Sequence, residues 1–285
     1  MSFQITTNKK DTTMNTAPLN NDEVTTSSGS ANERIEQFTT TGPVRGTIRC
    51  ASGRATVTNG PDGACRVRAI ALGSHGPDRL AQVQISFDEV TNTLRVLTRP
   101  KGSFRVRLFD FHDVELEIMV PMSSNIDIHS ASGDLHLDGT FADVTAASAS
   151  GDVRVGTITG EFNVNVASGD VSATAVGGPV NAKSASGDVK LGDVSSDVKV
   201  HAVSGDIALN AVGSLDAKLH SVSGDVLINV RPGFVVHVNA KTVSGSMRSE
   251  ISLDGTESSS SDAASEGVIS IDASTVSGDV KIARS

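Results

Sequence analysis

Six aspartates, Asp134, Asp152, Asp170, Asp188, Asp206 and Asp225, each follow a Ser-Gly pair, and the first five are 18 residues apart. Carboxylates at a fixed interval are what a row of cation sites would need. Calcium, however, takes 6–8 oxygens per ion, and the double-glycine nonapeptide of calcium-loading β-rolls is absent. The same aspartates also suit a turn, in which a carboxylate accepts backbone N–H groups beside a glycine of positive φ. Unit charges about 4.8 Å apart in water repel by roughly 0.9 kcal/mol per neighbouring pair. A backbone hydrogen bond to a charged acceptor contributes about 1.5–3 kcal/mol. Turn chemistry therefore offsets the repulsion without an ion, and no metal or cofactor site is assigned.

Two other residue pairs could do chemistry. His201 and His220 each lie four residues before a triplet glycine, which would stack their rings, but no carboxylate accompanies them in the adjoining columns. They read as surface histidines. Cys50 and Cys65 show neither CxxC nor metal spacing. They read as small buried thiols of a reducing compartment, with a disulfide across the intervening turn-rich segment as the alternative. The chain has no G-x-S-x-G elbow, H-E-x-x-H or P-loop. Its acids sit mostly at the repeated corner, away from the Ser, Asn, Lys and Thr of the flat faces. No catalytic residue is assigned, and the chain is expected not to be an enzyme.

What positions these residues is a repeat. Ser-Gly-Asp recurs with glycine at 133, 151, 169, 187, 205, 224 and 278, and Ser244-Gly245-Ser246 is a variant. A period of this size means stacked units. Two residues after each glycine stand Leu135, Val153, Val171, Val189, Ile207, Val226, Met247 and Val280. Five before the following glycine stand Ala146, Val164, Ala182, Val200, Leu219 and Ala240. Polar residues alternate with both sets, giving two half-buried strands per repeat. A third short run centres on Ile158, Val176, Val194 and Val212. The segment TIRCASGRATV around Gly53 fits the same columns as a degenerate coil.

This is an all-β reading: a single-stranded β-solenoid of about 18 residues per coil, with an irregular β cap at its N-terminal end. One coil cannot bury its inner face alone, so stacking must do it. A narrow interior of Ala and Val accords with 9 Phe and no Trp or Tyr in 285 residues. Residues 1–35 read as a disordered N-terminal tail, 36–124 as the N-terminal β region capping the solenoid, and 125–285 as the solenoid proper. A disordered, Ser-rich acidic loop is expected near 255–267.

The shortage of rings argues against sugar-stacking and single-strand nucleic-acid platforms. The net charge of −9 gives no footprint for a phosphate backbone. MSFQITTNKK has no apolar run behind its lysines, and no segment has the roughly 18 apolar residues of a membrane span. The expected location is therefore cytoplasmic, with no nucleic-acid partner and no membrane insertion.

The SASGDV repeats, the closing TVSGSMRSEISLDG…DASTVSGDVKIARS and the opening IEQFTTTGPVRGTIRCASGRATV together resemble a bacterial putative-adhesin domain family of unknown function, common in actinobacteria. The resemblance covers about residues 36–285. It implies a β-solenoid of the right-handed form and transfers no catalytic residue. The expected function is a non-enzymatic adhesin-like binding or scaffold module that offers a flat face to an unidentified protein. Self-association into a cytoskeleton-like polymer is the first alternative, because the last strand, DVKIA, ends near Ser285 with no evident cap. A glycan-active β-helix enzyme is the second.

Overall fold

A computed structural model describes residues 25–28, 32–73, 76–98, 114–251 and 266–285. The chain opens with β1 (Thr25–Ser28), β2 (Glu33–Thr39), β3 (Arg45–Ser52), β4 (Ala55–Asn59), β5 (Ala64–Ala71), a short helix α1 (Gly76–Leu80), β6 (Val83–Asp88), β7 (Thr93–Thr98) and β8 (Val114–Val120). Next come β9 (Ser124–Ser132), the long β10 (Leu135–Ser150), β11 (Val153–Ile158), β12 (Phe162–Ser168), β13 (Val171–Val176), β14 (Val180–Ser186), β15 (Val189–Val194) and β16 (Val198–Ser204). The last strands are β17 (Ile207–Ala211), β18 (Leu215–Ser223), β19 (Val226–Val230), β20 (Phe234–Ser244), β21 (Met247–Ser249), β22 (Gly267–Ser277) and β23 (Val280–Arg284).

Alternation of β-branched and polar residues makes each repeat extended, and parallel pairing between repeats satisfies its edges. β11, β13, β15, β17 and β19 form one ladder, and β12, β14, β16 and β18 form another. Register follows the sequence period: Val153, Val171, Val189 and Ile207 are successive partners, and all are buried. The facing column of Val164, Ala182, Val200 and Leu219 is fully buried as well. The all-β solenoid is thus the fold of this chain.

The third run is not a separate strand. In β11 and β15 the alternation lapses for two residues and then resumes at Ile158 and Val194, so one bent strand carries both runs. At the fifth coil the inward place opposite Val194 belongs to Ala211, not Val212. A register shift after Leu191 absorbs the difference.

Two expectations about the ends need correction. The expected tail reaches residue 35, but Thr25–Ser28 pairs antiparallel with Arg34–Gln37, and β2 begins at Glu33. The polar Thr and Ser of β1 are joined by backbone hydrogen bonds, which apolar periodicity cannot signal. Residues 1–24 and the expected loop up to residue 265 lie outside the described residues.

The second correction concerns coil order. β22 lies between β18 and β20, and β23 lies between β19 and β21. The chain therefore leaves one coil position open, builds the outermost coil from β20 and β21, and returns to fill the gap. The inner columns explain the choice. β22 and β23 contribute Ile269, Ile271, Val280 and Ile282, whereas β20 and β21 offer Val236, Val238, Met247 and Ser249. The larger apolar set takes the place covered on both sides. The last strand, DVKIA, is accordingly interior: Ile282 is 2% exposed.

At the other end β3 and β4 continue the stack below β9 and β10, with Ile48 on Ile128 and Ala55 on Leu135. β7 and β8 still pair parallel with β3 and β4, and beyond them the pairing turns antiparallel, β2 and β8 flanking β5 and β6 joining β7. Arg68 ties three of these strands together through Glu33 at 2.6 Å and Glu117 at 2.8 Å.

Val189→Asp places an unpaired charge inside the column and is expected to cost several kcal/mol in urea unfolding. Lys190→Ala, one residue along and outward, is expected to cost under about 1 kcal/mol.

Candidate functional site

The triplet glycines form a continuous outer seam. In space they run Gly53, Gly133, Gly151, Gly169, Gly187, Gly205, Gly224, Gly278 and Gly245, each meeting the backbone of the one before or after it. All have positive φ. A Cβ on Gly187 would lie 2.1 Å from the Gly169 carbonyl oxygen at φ +122°. Only glycine lets neighbouring corners approach this closely.

Each seam aspartate holds the next corner. The backbone N–H of Asp170 donates to Asp152 Oδ1 at 2.9 Å, that of Asp188 to Asp170 at 2.9 Å and that of Asp206 to Asp188 at 3.0 Å. Asp225 and Asp279 extend the chain, which ends on the N–H of Ser246. The second oxygens of Asp152 and Asp188 take Arg154 at 2.7 Å and Lys190 at 3.0 Å. The Asp206 N–H and then Lys190 hold the Asp188 carboxyl below its usual range, and the Asp170 N–H does the same for Asp152. The geometry performs the turn role. Among the described residues no group of three or more His, Cys, Asp or Glu is placed to hold a metal ion.

His201 and His220 do stack, with ring centroids 5.2 Å apart. Burial, then the neighbouring His220, Lys199 and Lys183, lowers the His201 pKa. Because β22 is inserted beside β18, the next residue in this column is Ser274, whose Oγ lies 2.6 Å from His220 Nδ1. Cys50 and Cys65 are buried free thiols, each pushed up to about 12 by burial, so neither is a ready nucleophile.

One charged cluster escapes a reading confined to the regular repeats. Asp127 receives Arg49 at 2.8 Å and His129 Nε2 at 3.0 Å on the outer side of β3 and β9. Burial opposes ionisation of Asp127, but Arg49 and His129 outweigh it and lower the pKa. Carrying the column count back to Gly53 and Gly133 would have found this cluster, since Arg49 and His129 share the column of His201.

A second missed feature is apolar. Two residues before each seam glycine, an outward column runs Ala131, Ala149, Ala167 and Ala185, then Val203, Val222, Val276 and Val243 in spatial order. The four valines are 56%, 51%, 50% and 82% exposed. Sequence order alone would set Val222 beside Val243; in space Val276 lies between them.

Two predictions test the seam. Gly187→Ala is expected to cost several kcal/mol in urea unfolding, whereas Gly42→Ala, with open space around it, should cost little. Lowered carboxylate pKa values stabilise the fold above the ordinary carboxylate range, and this is lost as pH falls through the depressed values. Stability should therefore drop in acid, and Asp188→Asn, which keeps an acceptor without the charge, should flatten that drop slightly between pH 7 and 3. Calorimetric titration with calcium should show no stoichiometric micromolar binding.

A solved structure from Bacteroides fragilis, described as a putative adhesin, is 18% identical with a TM-score of 0.52, covering 90% of this chain and 98% of that one. It shares the fold. A putative adhesin from Parabacteroides merdae is 9% identical with a TM-score of 0.36, over 89% of this chain and 97% of that one. A putative lipid binding protein from Parabacteroides distasonis is 11% identical with a TM-score of 0.33, over 90% and 98%. No curated protein matches the chain. The model of the Toastrack DUF4097 family matches residues 47–283, from the degenerate coil to the last strand, and this chain belongs to that family.

Proposed function

We propose that this protein is a non-enzymatic, adhesin-like β-solenoid that serves as a binding or scaffold module, with its lateral valine column as the surface offered to another protein. The exposed stripe of Val203, Val222, Val276 and Val243 carries the reading. Four β-branched side chains on adjacent strands make an apolar line roughly 14 Å long on a rigid sheet. Aligned exposed apolar surface marks interaction sites more than scattered residues do. In the N-terminal coils the same column is alanine, so the stripe is confined to one half of the stack.

Other observations agree. The seam carboxylates are engaged by backbone N–H groups and cations, which suits architecture more than proton transfer. The free buried thiols suit a reducing compartment, and we propose a cytoplasmic location. None of the described helices is long and apolar enough to cross a membrane.

A photo-crosslinking residue at Val222 is expected to give a discrete protein adduct in the native host, and the same residue at Ser172, on the other ladder, none. Val222→Lys combined with Val276→Lys should keep the urea unfolding free energy within about 0.5 kcal/mol of the parent and abolish capture of the adducted protein. Equal adducts at both positions, or none at Val222, would contradict the reading, and turnover of a glycan by the purified protein would favour the enzyme alternative.

A further inference from the structure

Among the described residues the outer end of the stack is open. β20 pairs only with β22, and β21 only with β23. Ile269, Ile271 and Ala273 on β22 are at most 2% exposed, while their register partners Val236, Val238 and Ala240 are only partly buried. Met247 is 56% exposed, against 1% for its partner Val280. An 11-residue edge strand and the inner face of a coil thus meet solvent. Exposed edges are usually blunted by proline, bulges or several charges. β20 carries Lys241 as its one fixed charge, no proline and an unbroken register.

We propose that this end is an interface between two copies of the chain, joined tail to tail by antiparallel pairing of β20 with β20 about a two-fold axis through Asn239. Register follows from side-chain parity. The inward residues of β20 are even-numbered, so opposed residue numbers must sum to an even value to keep both inner columns inside. Centring on Asn239 satisfies this and pairs the whole strand. Val236 then opposes Thr242, Val238 opposes Ala240, and on the outer side Val235 opposes Val243. Both valines are now exposed, at 45% and 82%. His237 opposes Lys241, where a neutral imidazole can accept from the ammonium. Rotation about an axis normal to the sheet keeps the two interiors on the same side, so the apolar columns run on from one copy to the next.

The two ends of the molecule differ in kind, and this selects a closed dimer over an open polymer. Head-to-tail growth needs a complementary surface at the far end. There the stack finishes in antiparallel strands, with β1 and β6 as the outermost described edges. A strand about 36 Å long, with the adjoining coil interior, buries on the order of 500 Å² per copy. That is the low end for specific interfaces, so dimerisation should be concentration-dependent, in the micromolar range.

Sedimentation equilibrium of the full chain across about 1–500 µM tests this. The wild type is expected to pass from monomer to dimer and no further. Val235→Lys with Val243→Lys sets lysine against lysine twice across the two-fold and should weaken dimerisation at least tenfold. Val235→Glu with Val243→Lys sets glutamate against lysine twice and should restore it to within about threefold. The two positions lie about 26 Å apart on one strand, so neither pair meets within a copy, and unchanged urea midpoints exclude misfolding. A wild type monomeric throughout, growth beyond the dimer, or a dimer indifferent to both variants would each overturn the proposal. A monomer whose Val222 still gives its adduct separates failure here from failure of the lateral site.

Discussion

A strand in a coil of this size has no partner within its own coil. Its N–H and C=O groups must be satisfied by the coil above and the coil below, and this one requirement organises the molecule. It holds the inward positions of successive coils in register, because a shift by one residue along a whole strand would turn every inward valine outward. It also brings successive corners close enough that their backbones touch. Glycine follows from that approach, and aspartate follows from glycine, because the exposed corner N–H of each coil needs an acceptor that the preceding coil can supply. The same narrow stack explains an interior of Val, Ala, Leu and Ile with few rings.

The requirement cannot be met at the ends by further repetition. At the N-terminal end the chain changes from parallel to antiparallel pairing, and Arg68, Glu33 and Glu117 link the strands there. At the C-terminal end it spends its best apolar coil inside, between β18–β19 and β20–β21, and leaves a weaker coil outermost. Surface chemistry follows from these choices. Insertion of β22 replaces Lys241 by Ser274 beside His220, and it sets Val276 between Val222 and Val243 in the exposed stripe.

Periodicity made the repeated coils legible from the residues alone. Val153, Val171, Val189 and Ile207 align as the spacing requires, and the aspartates act as turn acceptors. What was not legible has physical causes. Spatial order at the C-terminal end depends on which of two similar coils buries more area, a comparison across the chain that no local pattern encodes. Column counting puts Val212 inward, but β17 is one residue shorter than β15 between its inward places, so Ala211 takes that place and the turn before β18 is longer instead. β1 carries no apolar pattern because its polar residues pair through backbone. The Arg49–Asp127–His129 cluster lies outside the regular repeats, and the valine stripe occupies an outward column, which a pattern of inward residues does not mark.

The inserted coil is the most exacting claim of this account, and engineered disulfides test it directly. Adjacent strands bring Cα atoms to about 4.8 Å, within the range a disulfide spans, whereas strands two apart lie beyond it. Cysteines at positions 222 and 276, or at 243 and 276, are predicted to cross-link under mild oxidation with the native urea midpoint retained, and cysteines at 222 and 243 are predicted not to. Efficient cross-linking of 222 with 243, and none of 222 with 276, would show coils stacked in sequence order and contradict the structure described above.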